Sequence, residues 1–200
     1  MPEFIKEIEG IYRLCIPFDT VYTSVFLIVA DKNIMVDCAT TRTDVEDYII
    51  PALAALGYQP TDIDILVLTH NHGDHAGGRE YFLAHSPATR VITELTEICD
   101  GISTYPMAGH TNGCIGVMDE RTHTLISGDG LQGAGVDKYR CYTQNPSAYL
   151  ETVKRIEGDG RIENILFSHE YEPWYKNAVY GREDVVEVLS DCTRYVKLER

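Results

Sequence analysis

The sequence predicts a layered α/β protein with a mixed sheet. Three observations carry that prediction: strand-like apolar runs spaced as hairpins, amphipathic helical stretches interleaved with them, and runs that are apolar throughout instead of alternating. Continuous runs such as residues 25–30, and 65–68 within the predicted strand 64–69, suit strands covered on both faces.

Taken in order, residues 11–17, 21–30 and 33–37 are predicted strands, with Asp31-Lys32-Asn33 joining the last two as a hairpin. A helix follows. Thr43 and Glu46 have the spacing of a capping box, Val45, Ile49, Ala52, Leu53 and Leu56 form one apolar stripe, and Gly57 ends it. Pro51 inside that stripe predicts a kink or a restart. Residues 64–69 are the next strand and 76–84 a short helix. Residues 90–93, 114–119 and 124–127 are further strands, the last two a hairpin across 120–123. Asn145-Pro146 reads as an N-cap and first helical residue, before a helix that turns Tyr149, Val153 and Ile156 inward and stops at Gly158. Residues 162–167 are a strand. The stretch 183–197 is an amphipathic helix on Val185, Val188, Leu189, Cys192, Tyr195 and Val196.

With 200 residues and no repeat or linker-like tract, a single domain over 1–200 is expected. At 44% apolar residues the chain can bury a core without needing disulfides or a metal merely to fold. The net charge of -14 would repel nucleic acid and anionic membrane, which leaves a small-molecule substrate as the expected partner of a monomer or homodimer. The start shows no basic segment followed by an apolar stretch, and no apolar run has membrane-spanning length. A cytoplasmic location is therefore expected, with the six scattered cysteines as thiols.

The chemistry concentrates in Thr69-His70-Asn71-His72-Gly73-Asp74-His75. Imidazole and carboxylate are the ligand types that suit zinc and related divalent ions. Placing four of them at the end of a buried strand needs a tight turn, for which Gly73 offers backbone freedom. Further donors stand downstream beside small residues: His110 before a strand, Asp129 after one and His169 at the end of another. Strand ends are where open α/β sheets place their sites. His85, at a predicted helix end, and His123, in a hairpin turn, have ordinary surface roles.

On these residues the sequence resembles the metallo-β-lactamase-fold hydrolase superfamily, with a glyoxalase II- and lactonase-like ligand pattern. The resemblance runs through the hairpin ending in Asp37, H-x-H-x-D-H at 70–75, G-H-T at 109–111, S-G-D at 127–129 and S-H at 168–169. It implies a four-layer αββα sandwich with mixed sheets. It also implies that His70, His72 and His110 hold one metal, that Asp74, His75 and His169 hold a second, and that Asp129 bridges them. Zinc is the expected metal, with iron or manganese as alternatives. Asp37 takes a supporting place in the loops beneath the site.

Two divalent ions against two carboxylates leave a net positive site that the Lys/Arg balance cannot supply. A metal-bound water loses its proton near neutral pH, so a bridging hydroxide is expected to attack an ester, lactone, thioester or amide. Asp74 would orient it and pass its proton to the leaving group. Residues 130–144 are the candidate substrate loop, with Lys138, Tyr139, Arg140 and Tyr142 as anchors, although the same residues read equally as a solvated surface loop. Glu170, Tyr171 and Trp174 either line the pocket or pack, and Cys38 and Cys141 are near motif segments. Glutathione thioesterases of the superfamily carry a basic helical C-terminal region, whereas 31 residues follow His169 here, so glutathione is not the expected substrate. The alternative is an iron-dependent oxidoreductase of the same fold, such as a persulfide dioxygenase-like enzyme. A non-catalytic metal-stabilised domain comes third, because structural zinc sites are usually closed and thiolate-rich.

Overall fold

In the computed structural model of the chain, the predicted hairpins pair as antiparallel neighbours, and the strands linked through helices pair in parallel. Residues 2–19, 21–131, 143–171 and 176–198 are described. They fall into two compact units, residues 1–93 and 94–200.

The first unit is a six-stranded sheet in the order β1 (Ile5–Ile8), β2 (Ile11–Phe18), β3 (Val21–Val29), β4 (Asn33–Val36), β5 (Ile65–Val67) and β6 (Arg90–Ile92). The β1 to β4 pairs are antiparallel, while β4–β5 and β5–β6 are parallel. The parallel pairs need crossovers, which α1 (Ile50–Ala55), α2 (Gly73–Ala76) and α3 (Arg79–His85) provide. Val45, Ile49, Ala52, Leu53 and Phe82 pack with Val25, Leu27, Met35 and Leu66 in this unit's core, so the predicted apolar stripe does face the sheet.

The helix start differs from the expected box. Thr43 makes no capping bond; instead Thr41 Oγ1 accepts the Asp44 N–H at 3.1 Å and Asp44 Oδ2 accepts the Thr41 N–H at 2.8 Å. The reciprocal box therefore sits two residues earlier, on Thr41 and Asp44. Pro51 marks a restart. A π-helical stretch, Asp44–Ile49, runs into it, with Ile50 N–H bonded to Val45 O, and Pro51 stands in the first turn of α1. A residue without an N–H fits where the bonding register changes.

The second unit is a six-stranded sheet of β7 (Glu97–Cys99), β8 (Ile102–Pro106), β9 (Ile115–Asp119), β10 (Thr124–Ile126), β11 (Asn164–Tyr171) and β12 (Lys176–Tyr180), adjacent in that order. Only β10–β11 is parallel, and α4 (Pro146–Gly158) lies in that crossover. Asn145 caps α4 by accepting the Ala148 N–H at 3.1 Å. Tyr149, Val153 and Ile156 of α4 join the six predicted apolar residues of α5 (Arg182–Leu198) in this unit's core. No helix among the described residues is long and apolar enough to cross a membrane.

Candidate metal centre

In the first unit, Val36 of β4 and Val67 of β5 are parallel partners, so Asp37 and the segment entering His70 leave the sheet at one edge. The carboxylate of Asp37 is fully buried there. Its Oδ1 accepts the Thr69 N–H at 2.8 Å, and its Oδ2 lies 2.9 Å from Thr69 Oγ1 and 2.7 Å from His75 Nδ1. Thr69 Oγ1 also lies 3.1 Å from His70 Nδ1.

The four donors of this unit are gathered closely. The rings of His70 and His72 are 4.6 Å apart and those of His70 and His75 4.2 Å, while His75 Nε2 lies 3.3 Å from Asp74 Oδ2. Thr23, from the middle of the sheet, donates to Asp74 Oδ2 at 3.3 Å. Nothing in the sequence around Thr23, 51 positions away, signals that contact.

Gly73 does not supply the tight turn expected of it. It has no left-handed φ and opens α2, with His72 as the extended residue before the helix. The glycines that matter are Gly77 and Gly78. A Cβ on Gly77 would lie 2.3 Å from Thr40 O and one on Gly78 2.0 Å from Cys38 O, so only glycine lets α2 seat against residues 38–40. That seating brings the His75 carbonyl to the Cys38 N–H at 2.8 Å.

The second unit supplies His110, Asp129 and His169. Asp129 stands three residues beyond Ile126 and His169 three beyond Leu166, and those two are parallel partners, so both donors lie at one level along the strand direction. His169 lies within β11, not past its end as expected, where the β11–β12 register shifts between Leu166 and Tyr171. Such irregularities re-aim side chains. Asp129 Oδ2 is 3.6 Å from His110 Nε2, and Asp129 Oδ1 is 3.4 Å from His169 Nε2.

His110 rides on a loop that α4 clamps. Thr152 Oγ1 donates to Ala108 O at 2.8 Å, and the N–H groups of Asn145 and Gln144 bond Gly109 O and His110 O at 2.9 and 3.2 Å. Gly109, at φ +147°, lets this loop touch α4, since a Cβ would lie 2.6 Å from Tyr149 Cα.

The donor chemistry fits divalent cations. A carboxylate accepts, so Asp37 fixes a proton on His75 Nδ1 and leaves Nε2, 3.3 Å from the Asp74 oxygen, as the nitrogen open to a proton or a cation. Two acceptors facing each other at that distance repel unless a proton or cation lies between them. Asp129, with one oxygen toward each of two imidazoles, has the shape of a bridging ligand.

The remaining candidates separate clearly. His85 ends α3 beside Glu46 at 3.6 Å, and His123 sits in its turn with Nδ1 3.1 Å from Arg161 O. Burial, and then the Asp37 carboxylate, push the Cys38 thiol far above its ordinary range, so it stays neutral and inert. The expected substrate anchors Lys138, Tyr139, Arg140 and Tyr142 lie outside the described residues, as do Cys141, Trp174 and the side chain of Tyr171.

Residues 18–98 match the family model of the metallo-β-lactamase superfamily. A curated relative, the hydroxyacylglutathione hydrolase of Photobacterium profundum, is 25% identical over 138 residues, which is 60% of this chain and 53% of the relative. The chain thus spans about half the length of that relative. Among solved structures, the metallo-β-lactamase FIM-1 from Pseudomonas aeruginosa, in its mono-zinc form, aligns with a TM-score of 0.74 at 16% identity, covering 99% of this chain and 96% of that one. The rubredoxin oxygen:oxidoreductase of Desulfovibrio gigas aligns with a TM-score of 0.73 at 15% identity, covering 98% of this chain and 62% of that one. The two mixed sheets with their helices therefore match the metallo-β-lactamase fold.

Proposed function

For a chain that carries the metallo-β-lactamase fold and, over residues 18–98, that superfamily's sequence signature, we propose hydrolysis of a small carbonyl substrate at a pair of divalent ions, zinc first among them. In this reading His70, His72 and His110 hold one ion, Asp74, His75 and His169 hold the other, and Asp129 bridges. The observation that carries it is Asp129, nearly buried and presenting one oxygen to His110 and the other to His169. The hydrolase name of the curated relatives supports the same reaction class.

When bound, two divalent ions bring the pKa of a water close to 7 and offset the charge that develops on a carbonyl oxygen. The chain's own residues do the rest. Asp37 and Thr69 hold the Nδ1 sides of His75 and His70, leaving the Nε2 nitrogens of both rings as the ones available to a metal. Asp74 is held by Thr23 and stands ready to take a proton and return it to the leaving group. The substrate is an ester, lactone, thioester or amide, with thioesters first in the panel to be tried.

The test is metal analysis of the purified chain followed by that substrate panel. Two zinc ions per chain with oxygen-independent turnover are expected, and Asp74→Asn, which removes a ligand charge together with the proton acceptor, should lose roughly a hundredfold or more in kcat even when zinc is supplied to saturation. A single iron with oxygen uptake would replace hydrolysis by the iron-dependent oxidoreductase reading. Full metal with no turnover would leave a metal-stabilised binding domain.

A further inference from the structure

We infer that Met107 is a positioning residue for the proposed centre, its side chain being the spacer that sets the distance between His110 and Asp129. The inference rests on the reading above, in which both of those residues are metal ligands.

Pro106 and Ile115 are the last partners of β8 and β9, so Met107 is the first residue past the paired ends and starts the loop that carries His110. From there its side chain, which has no exposed surface, reaches over Gly116 of β9 to Gly130, the residue after Asp129. A Cβ on Gly116 would lie 3.1 Å from Met107 Cγ as well as 2.6 Å from Ile126 O. A Cβ on Gly130 would lie 2.7 Å from both Cβ and Cε of Met107 and 3.2 Å from its carbonyl oxygen. Gly130 has no left-handed φ, so its backbone conformation does not call for glycine. Space does, and the three nearest obstacles all belong to Met107.

The spacer has firm backing. Arg155 donates to Pro106 O at 3.1 Å and Thr152 to Ala108 O at 2.8 Å, so α4 holds the backbone on both sides of residue 107. The Met107 N–H bonds Cys114 O at 3.1 Å, across the base of the same loop. With its backbone held, Met107 cannot retreat from Gly130, and His110 Nε2 stands 3.6 Å from Asp129 Oδ2. Close-packed atoms pass on such a spacing with little give. Core packing accounts for the burial of Met107 and Met118 alike. Met118, however, pairs with Leu125 inside the sheet, whereas Met107 joins the segments of two ligands.

Zinc affinities of the full chain, read by competition with a chromophoric chelator, test the inference, with Met118→Ala as the control for a lost core side chain. Met107→Ala should weaken at least one zinc step by about tenfold or more. Met107→Leu, which keeps most of the volume, should stay within about threefold of wild type. Met118→Ala should lower Tm as Met107→Ala does, since each opens a cavity, yet leave the affinities unchanged. If Met107→Ala does not fold, Gly130→Ala presses on the same contact from the other side and should weaken zinc binding by the same factor. Affinities in Met107→Ala no weaker than in Met118→Ala, or wild-type affinities in Gly130→Ala, would overturn the inference and leave the two-ion reading standing. A wild-type chain that binds one zinc ion would overturn that reading, and the same comparison on the single step would still decide the role of Met107. A chain that binds none would overturn both.

Discussion

Replacing Gly109 by alanine tests how the second unit positions His110. The new Cβ would lie 2.6 Å from both Cα and Cβ of Tyr149 and 3.0 Å from Cδ2. Two of those atoms belong to or adjoin the α4 backbone, and Tyr149 is fully buried, so the helix cannot simply swing a flexible side chain away. Overpacking of this kind costs about 1–3 kcal/mol. Forcing an L-residue to keep a φ of +147° adds a further ~1–3 kcal/mol of backbone strain. Together these come to about 4 kcal/mol, a fall in Tm of roughly 8–16 °C for a chain of this length. Thermal melting of the metal-free protein reads the stability loss, and zinc titration reads the displaced His110 loop. A Gly109→Ala protein melting within about 2 °C of wild type would refute the claim that α4 packs on this loop through a glycine-only contact.

Four further outcomes are expected. Gly78→Ala should destabilise by about 3 kcal/mol or more, measured by denaturant melts, since its Cβ would stand 2.0 Å from Cys38 O and 2.9 Å from Val45 Cγ2. Asp129→Ala should cut zinc stoichiometry below two per chain by plasma mass spectrometry, because the proposed bridge loses both carboxylate oxygens. Chelating a zinc-loaded chain should lower its Tm, by roughly 8–16 °C if the free metal stood a thousandfold above its Kd. Asp159 is held below the ordinary carboxylate range, chiefly by its hydrogen bonds from Arg161, so the stability it adds is present above about pH 4 and is lost as pH falls through its folded pKa. Asp159→Asn should accordingly lower Tm at pH 7, and the gap to wild type should close on acidification.

How much was legible depended on whether local pattern or tertiary packing decided the outcome. The stripes on α4 and α5 bury the same residues that their spacing picks out, because a 3.6-residue period already states which face turns inward. The residues gathered at the candidate metal centre also stood out in the sequence, since imidazoles and carboxylates beside small residues at strand ends make an unusual local pattern. The strands β1, β7, β8 and β12 were missed: they are short or mixed in polarity, and β1 and β7 are held by a single neighbour at the sheet edges. Thr43 matched the capping pattern, but Thr41 and Asp44 won because Asp44 also accepts the Thr40 N–H at 3.0 Å. Gly73 drew attention by its place in the motif, while the close approach that demands glycine lies at Gly77 and Gly78, against a carbonyl that sequence cannot place. Arg13 could not be foreseen as buried, since its partners Glu7 and Ser24 come from β1 and β3.

The most direct test is a titration of the metal-free chain with zinc while thioester hydrolysis is followed. Two-ion hydrolysis predicts activity that rises to a plateau at two equivalents, with oxygen making no difference. No hydrolysis at any loading, or a plateau already reached at one equivalent, would contradict it.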